Sequence, residues 1–309
     1  MANETIVAYL DLLAFSSHVR ENLDDALKIF RNYTKVLETK IADEQRHPSA
    51  SYSHPSLQNL AMKKAVSSFN YFLPFSDSIF ISSGDPNLFL KQLGSFALMC
   101  FTLTSKQYQN PSDPSNPTKV TRRISGQKLI EENLYPTVFR GGIAIGEIET
   151  IELSGLVNNK PKKITNLAGK AVVKAVSLEQ KVKGPRIVFE KDLYDKLDSS
   201  TKIYTAETEI KDIYELLWPC FIYNLEEGYV YMAIGEFHRL FLPALNLWKA
   251  YNHTPFSEHY FKFVELVISG TLKVFDTLGH RDRAVEQVME LILTYQLEHK
   301  TKHLLKPYI

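Results

Sequence analysis

Two aspartates in this sequence stand where carboxylates could hold metal ions. Asp11 ends the apolar run of residues 6–10, and Asp77 lies between two short runs rich in aromatic residues. A charged group beside a buried apolar strand is costly unless something pairs with it. Hard divalent cations prefer oxygen ligands, and pairs of such ions serve in phosphoryl chemistry. The two positions therefore predict a site for divalent metal and a nucleotide.

Composition limits the class of protein around this site. The chain has 309 residues, 44% of them hydrophobic, which is enough for one large domain or a domain with an appendage. The net charge of +1 gives no support for a nucleic-acid partner. Cys100 and Cys220 lie in apolar contexts and predict buried, reduced thiols. With no leader-like N-terminus and no apolar run near 18 residues, the sequence predicts a cytoplasmic protein without a membrane span.

The first half of the chain predicts the elements that would position the two aspartates. They are a strand at 5–10, a helix at 22–43, a hairpin of strands at 69–73 and 79–82 with Pro74 and Ser76 in its turn, a helix opening at Asp85 and Pro86, and a strand at 137–149. This β-α-β-β-α-β order predicts an α+β, ferredoxin-like fold whose sheet is antiparallel and carries both long helices on one face. In that fold Asp11 and Asp77 lie side by side at one end of the sheet.

The second half of the chain predicts the rest of the catalytic domain and a C-terminal extension. Its expected elements are a helix at 167–181, a strand at 186–189, aromatic-rich strands at 218–223 and 229–234, and amphipathic helices at 260–278 and 281–299 separated by Gly279; the polar segments 45–58 and 108–119 are expected as loops. The sequence therefore predicts a catalytic domain over residues 1–205. Residues 206–309 would form a mixed, largely helical extension that packs on that domain or on a dimer.

Four segments, taken in order, carry a resemblance to a known family. They are residues 9–16 (Tyr-Leu-Asp-Leu-Leu-Ala-Phe-Ser), 75–78 (Phe-Ser-Asp-Ser), 139–147 (Phe-Arg-Gly-Gly-Ile-Ala-Ile-Gly-Glu) and 169–179 (Gly-Lys-Ala-Val-Val-Lys-Ala-Val-Ser-Leu-Glu). In order and spacing they resemble the class III nucleotidyl cyclase catalytic domain, over about residues 4–205. The resemblance implies an enzyme that converts a nucleoside triphosphate to a 3′,5′-cyclic nucleotide and pyrophosphate.

The resemblance also implies roles for particular residues. Asp11 and Asp77 would be the metal aspartates for two Mg²⁺ or Mn²⁺ ions, and the carbonyl of Leu12 could add a ligand. Arg140 would neutralise the triphosphate. The competing interpretations are structural: a strand-end carboxylate, a turn-forming aspartate and a surface-paired arginine.

Substrate contacts are implied as well. The amides of Phe15 and Ser16 could hold phosphate oxygens at a helix start. Leu73 stands where the family places its purine-selecting lysine or glutamate. Tyr71, two residues earlier on the same strand face, could instead select a pyrimidine, although a core tyrosine is an equal alternative.

The segment at 169–179, within the helix predicted at 167–181, departs from the family pattern. Val173 and Ser177 stand where the family has an asparagine that orients the ribose and an arginine that stabilises the transition state. The chain is either a divergent active cyclase or a protein that binds nucleotide without turnover.

One branch of the family combines these features. The pyrimidine cyclases of bacterial Pycsar anti-phage defence systems are similar in the opening segment and in a Gly-Lys-Ala-Val helix. The resemblance implies a uridylate cyclase that makes cyclic UMP, or one that makes cyclic CMP, acting as a homodimer with shared sites. It further implies a separate effector that responds to the cyclic nucleotide. A purine cyclase and a non-catalytic binder stay open as alternatives.

Overall fold

The computed structural model describes residues 4–46, 65–105, 118–123, 129–134, 136–157, 160–223, 225 and 234–309. Its strands are β1 (Thr5–Leu12), β2 (Tyr71–Phe75), β3 (Ser78–Ser83), β4 (Thr118–Arg123), β5 (Leu129–Leu134), β6 (Phe139–Gly146), β7 (Glu149–Val157), β8 (Lys160–Ala168), β9 (Ile187–Glu190), β10 (Thr205–Glu207) and β11 (Ile213–Leu216). Its α-helices are α1 (Phe15–Glu21), α2 (Leu23–Arg46), α3 (Pro86–Ser105), α4 (Lys170–Glu179), α5 (Lys191–Tyr194), α6 (Ser199–Lys202), α7 (Phe237–Tyr251), α8 (Ser257–Thr277), α9 (Arg281–Thr294) and α10 (Glu298–Leu305).

Seven strands form the central sheet in the order β10-β11-β9-β6-β1-β3-β2. β1 runs antiparallel to both β3 and β6, and β2 pairs with β3 as a hairpin. The order β6-β1-β3-β2, with α2 and α3 as the intervening helices, is the ferredoxin-like arrangement. The predicted α+β fold is therefore confirmed. β9 then extends the sheet by pairing parallel to β6.

Successive side chains of β1 point alternately into two hydrophobic cores, one on each face of the sheet. Ala8 and Leu10 point into the large core, which also contains side chains from α2 and α3. Val7 points to the other face and packs with Ala171 and Ala175 of α4. The prediction that both long helices share one face is confirmed, and the period of two places Asp11 on the opposite face, with α4.

The glycines of β6 allow a close approach of the backbone. A Cβ on Gly142 would lie 2.1 Å from the carbonyl oxygen of Ala175 and 2.9 Å from the amide nitrogen of Glu179. The absence of a side chain thus lets α4 pack directly on the strand. A neighbouring backbone accounts for this glycine without any ligand.

Gly142→Ala is expected to destabilise the protein by about 1–3 kcal/mol, because α4 must shift to admit a methyl group. Urea unfolding monitored by circular dichroism measures this loss. Gly84→Ala is the matched control, since a Cβ there meets nothing within 4 Å. Equal unfolding free energies for the two variants would contradict the role of Gly142 in helix packing.

Some predicted elements differ from the observed ones. Pro74 lies inside β2, opposite Ile79, instead of in the turn; the strand is at the sheet edge, where a missing amide hydrogen is tolerated. Residues 118–119 begin β4 instead of ending a loop, and residues 218–222 form a 3₁₀ turn instead of a strand. The hairpins β4–β5 and β7–β8 and the helix α7 were not predicted. The predictions for residues 47–58, 108–117 and 229–233 lie outside the described residues.

The C-terminal helices pack into the same core as the sheet. α8 confirms the predicted helix at 260–278, whereas the one predicted at 281–299 is divided into α9 and α10 near Gln296, whose φ is 56°. Gly279 separates α8 from α9 with a left-handed φ of 77°, as predicted. The predicted boundary between residues 205 and 206 falls within β10, and the division into two domains stays a prediction.

Two further findings concern composition. Cys100 and Cys220 are both buried thiols that are not joined in a disulfide, as predicted. Among the described residues, no helix has the length and apolar character needed to cross a lipid bilayer.

Candidate active site

The sheet brings Asp11 and Asp77 together at one end, as the fold requires. Asp11 lies opposite Ser78, the residue after Asp77. The amide of Leu12 donates a hydrogen bond to the carbonyl oxygen of Asp77 at 3.0 Å. Ser76 makes the tight turn between β2 and β3 with a left-handed φ of 55°. Two carboxylates 66 positions apart in sequence therefore share one corner of the molecule.

A chain of hydroxyl groups supports Asp11. The Ser78 hydroxyl donates to Oδ1 of Asp11 at 2.9 Å. Because a serine has one hydroxyl proton, the Tyr9 hydroxyl, 2.8 Å from the Ser78 oxygen, must be the donor of that second bond. Tyr9 and Ser78 thus fix the orientation of the carboxylate from the same face of the sheet.

Arg140 lies between two carboxylates. It is opposite Asp11 on β6, and its Nε and Nη2 approach Oδ2 of Asp11 at 3.3 and 3.2 Å. Its Nε also forms an ion pair with Oε1 of Glu179, at the end of α4. Glu179 is only 3% exposed. The guanidinium predicted for the triphosphate is therefore engaged by the protein itself in this structure.

The site holds more negative than positive charge. Burial raises the pKa of Asp11, and the charge of Asp77 raises it further, while Ser78 and Arg140 act in the opposite direction. Burial likewise raises the pKa of Glu179 against the opposing effect of Arg140. Asp11 and Glu179 thus share one guanidinium while the charge of Asp77 acts on Asp11, and a cation would relieve the repulsion between the carboxylates.

The donor set fits a hard divalent cation. Carboxylate and backbone oxygens are the ligands such ions prefer. Among the described residues no three His, Cys, Asp or Glu side chains gather in one metal-binding cluster. Substrate oxygens and water would complete the coordination of an ion held by Asp11, Asp77 and the Leu12 carbonyl.

Glu179 should give a measurable pH effect. Since its folded pKa lies above the ordinary value of 4.5, the folded protein takes up the proton first as the pH falls. The unfolding free energy of the wild type, relative to Glu179→Gln, is expected to increase as pH drops through the folded pKa toward 4.5. Paired urea unfolding curves at pH 7 and pH 5 measure the difference. An unfolding free energy of the wild type that falls relative to Glu179→Gln from pH 7 to pH 5 would mean that Arg140 lowers the pKa of Glu179 instead.

Tyr71 lies away from the two aspartates on the same sheet. It pairs with Ser82, four residues along β3 from Ser78, which corresponds to about 13 Å. Its phenol oxygen accepts a hydrogen bond from the Thr150 hydroxyl at 3.1 Å. One chain therefore does not bring Tyr71 to Asp11.

The remaining predicted positions lie on α1 and α4. Phe15 and Ser16 are the first residues of α1, where a helix leaves its amides without intrahelical acceptors. Val173 is 66% exposed on α4. The Ser177 hydroxyl donates to the Val173 carbonyl at 2.9 Å.

Three residues of this site were not predicted from the sequence. Tyr9 and Ser78 share the sheet face of Asp11, and strand alternation could have indicated Tyr9. Glu179 follows the apolar positions Ala171, Ala175 and Leu178 of α4. A carboxylate that continues a buried helix face signals an internal cationic partner.

Comparison with known proteins gives remote structural likenesses only. No protein-family model and no curated protein matches the chain. The guanylate cyclase domain of RhGC from Catenaria anguillulae, solved with GTP, is 14% identical over 70% of this chain and 96% of its own, with a TM-score of 0.41. A bacterial light-regulated adenylyl cyclase is 14% identical over 75% and 96%, with a TM-score of 0.39. The guanylyl cyclase Cya2 is 13% identical over 70% and 94%, with a TM-score of 0.41. At these scores the likenesses carry no argument about activity.

Proposed function

We propose that this protein is a nucleotidyl cyclase, which converts a nucleoside triphosphate to a 3′,5′-cyclic nucleotide and pyrophosphate. The observation that carries the proposal is the convergence of Asp11 and Asp77 at one end of a ferredoxin-like sheet, with Arg140 beside Asp11. Two acidic oxygen ligands and a guanidinium match the needs of a metal-bound triphosphate.

The chain's own residues bind and orient in this proposal. Two Mg²⁺ or Mn²⁺ ions, when bound, would make the ribose 3′-hydroxyl more acidic and offset charge on the leaving pyrophosphate. Asp11, held by Ser78, and Asp77 would hold them. Arg140 would neutralise charge on the phosphates. The first amides of α1, at Phe15 and Ser16, would donate hydrogen bonds to phosphate oxygens.

We infer that the substrate is a pyrimidine nucleotide, with UTP preferred to CTP. Leu73 offers neither the charge nor the hydrogen bonds that select a purine in the related family. The Tyr71 oxygen already accepts a hydrogen bond from the Thr150 hydroxyl, so the Tyr71 hydroxyl can donate its own hydrogen to a base carbonyl. Uracil presents two such carbonyls and cytosine one. The product would then be cyclic UMP, with a purine cyclase as the alternative.

A homodimer would join Tyr71 of one copy to the metal residues of another. The separation of about 13 Å along the sheet supports base recognition and metal binding on different chains. Mixing Asp11→Ala with Tyr71→Ala, each inactive alone, is expected to restore part of the activity. Heterodimers that form but stay inactive would overturn the shared site.

The cyclase proposal is tested by product identity. Purified protein is incubated with Mn²⁺ and equal ATP, GTP, CTP and UTP, and products are identified by mass spectrometry. Cyclic UMP or cyclic CMP is expected from the wild type and from Asp195→Asn, which changes an exposed carboxylate outside the site. Asp77→Asn is expected to give none. Formation of cyclic AMP or cyclic GMP would overturn the pyrimidine assignment but not the cyclase proposal.

One observation favours a second function. Neither Val173 nor Ser177 supplies the amide or cation that the related family uses on this helix. A protein that binds a metal–nucleotide complex without turnover is the alternative. Calorimetry that shows UTP binding without any product would favour the binder.

The wider setting belongs to the same proposal. A cytoplasmic cyclase that makes a rare cyclic pyrimidine nucleotide would serve as a signal generator in anti-phage defence. A separate effector protein, responsive to that nucleotide, would be its downstream partner.

A further inference from the structure

We propose that Glu179 is a positioning residue that draws Arg140 away from Asp11 and so keeps Asp11 open to a divalent metal. The inference rests on the proposed function, because it assumes a metal at Asp11. It assigns a task to a buried carboxylate that the cyclase mechanism does not otherwise use.

The geometry sets two carboxylates in competition for one guanidinium. The Nε of Arg140 carries a single hydrogen, which it donates to Oδ2 of Asp11 at 3.3 Å. The same Nε forms an ion pair with Oε1 of Glu179, which accepts no hydrogen bond from the described residues. Nη2 approaches Asp11 at 3.2 Å. Any contact that Glu179 gains from Nε is therefore lost by Asp11.

Burial decides which carboxylate needs the guanidinium more. The side chain of Glu179 is 4% exposed, whereas that of Asp11 is 15% exposed. A buried carboxylate without a partner is strongly destabilised. Asp11 also accepts a hydrogen bond from the Ser78 hydroxyl and is the more exposed of the two carboxylates, so water or a cation can replace Arg140 there more readily.

The backbone fixes Glu179 in place. Its amide would lie 2.9 Å from a Cβ on Gly142, so this end of α4 rests directly on β6, two residues from Arg140. The Glu179 side chain, 4% exposed, has less room to move than that of Arg140, which is 28% exposed, so we treat the arginine as the more mobile partner.

A metal ion at Asp11 would repel the adjacent guanidinium. With Glu179 charged, Arg140 stays in the site on its second partner when the metal binds. With Glu179 neutral, Arg140 pairs fully with Asp11 and must be displaced by the metal. Neutralising Glu179 should therefore weaken metal binding even though Glu179 is no ligand.

The experiment is a calorimetric titration of the full chain with Mn²⁺ in the absence of nucleotide. Glu179→Gln is expected to weaken Mn²⁺ binding about tenfold, at the low end of the loss produced by removing a group that acts on a metal site from beyond its ligands. Glu179→Asp keeps the charge but shortens the reach, and it should remain several-fold weaker than the wild type. In an Arg140→Gln background, Glu179→Gln should change the affinity less than twofold.

The outcomes separate this inference from the cyclase proposal. Unchanged affinity in Glu179→Gln would overturn the positioning role. Full Mn²⁺ affinity in Glu179→Asp, or an equal loss of affinity with and without Arg140, would also overturn the positioning role. Either result would mean that the negative charge of Glu179 attracts the metal directly, without acting through Arg140. Absence of Mn²⁺ binding in the wild type would instead overturn the metal site of the proposed function. Thermal melts of each variant report folding, and the Asp variant keeps the test decisive if Arg140→Gln fails to fold.

Discussion

Asp11→Asn is expected to reduce cyclic nucleotide formation by about 10³-fold or more while leaving the metal-free protein equally stable or more stable. The loss follows from removal of a metal-binding charge, which supplies several kcal/mol to such reactions. The stability follows because burial, with the charge of Asp77, disfavours the charged form of Asp11 and raises its pKa. Asparagine keeps the shape and an oxygen acceptor for Ser78, and Arg140 keeps Glu179 as its partner.

Melting temperatures with and without Mn²⁺ measure this effect beside the activity assay. Mn²⁺ is expected to raise the melting temperature of the wild type, because a ligand that binds only the folded state stabilises it. It should not raise that of Asp11→Asn. A metal-free variant that melts well below the wild type would mean that Asp11 is a structural ion pair and not a site kept at a cost in stability.

Arg140→Gln is expected to lower the unfolding free energy by about 2–4 kcal/mol, because it leaves Glu179 buried without a cationic partner. Partial exposure of Arg140 keeps this below the full range for a buried pair. Urea unfolding measures the loss, and activity should fall with it. Glu179→Gln added to Arg140→Gln is expected to restore part of the stability.

The control for this arginine is Arg239→Gln. Arg239 pairs with Glu236 on an exposed helix turn, with its side chain 70% exposed, and such pairs contribute less than about 1 kcal/mol. Similar losses in the two variants would show that the carboxylates around Arg140 are well hydrated and that the internal ion pair is weak.

The framework of the site could be predicted from local sequence patterns. Continuous apolar residues before Asp11 and the aromatic runs beside Asp77 marked β1 and the β2–β3 hairpin, and the order of elements then fixed their adjacency. These signals lie within single strands, so no tertiary information was needed.

The positions of Glu179 and Tyr71 relative to Asp11 could not be predicted from the sequence, because they depend on contacts between elements that are distant along the chain. Glu179 reaches Arg140 only because α4 packs on Gly142, and helix periodicity alone does not give that approach. The offset of Tyr71 from Asp11 required the register of β2 against β3. The hairpin β7–β8 has exposed side chains on both faces for much of its length, which left only a weak burial pattern in the sequence.

Pro74 has a consequence for how copies of this chain can meet. It lies in β2, the outermost strand at one margin of the sheet, and it interrupts the row of amide donors that a foreign strand would need. Phe75, 73% exposed, can therefore stand at this margin without inviting strand-to-strand aggregation. The opposite margin is β10, a strand of only three residues. Both edges of the central sheet are therefore poor templates for added strands, and we expect copies of this chain to meet through side-chain surfaces and not by extending that sheet.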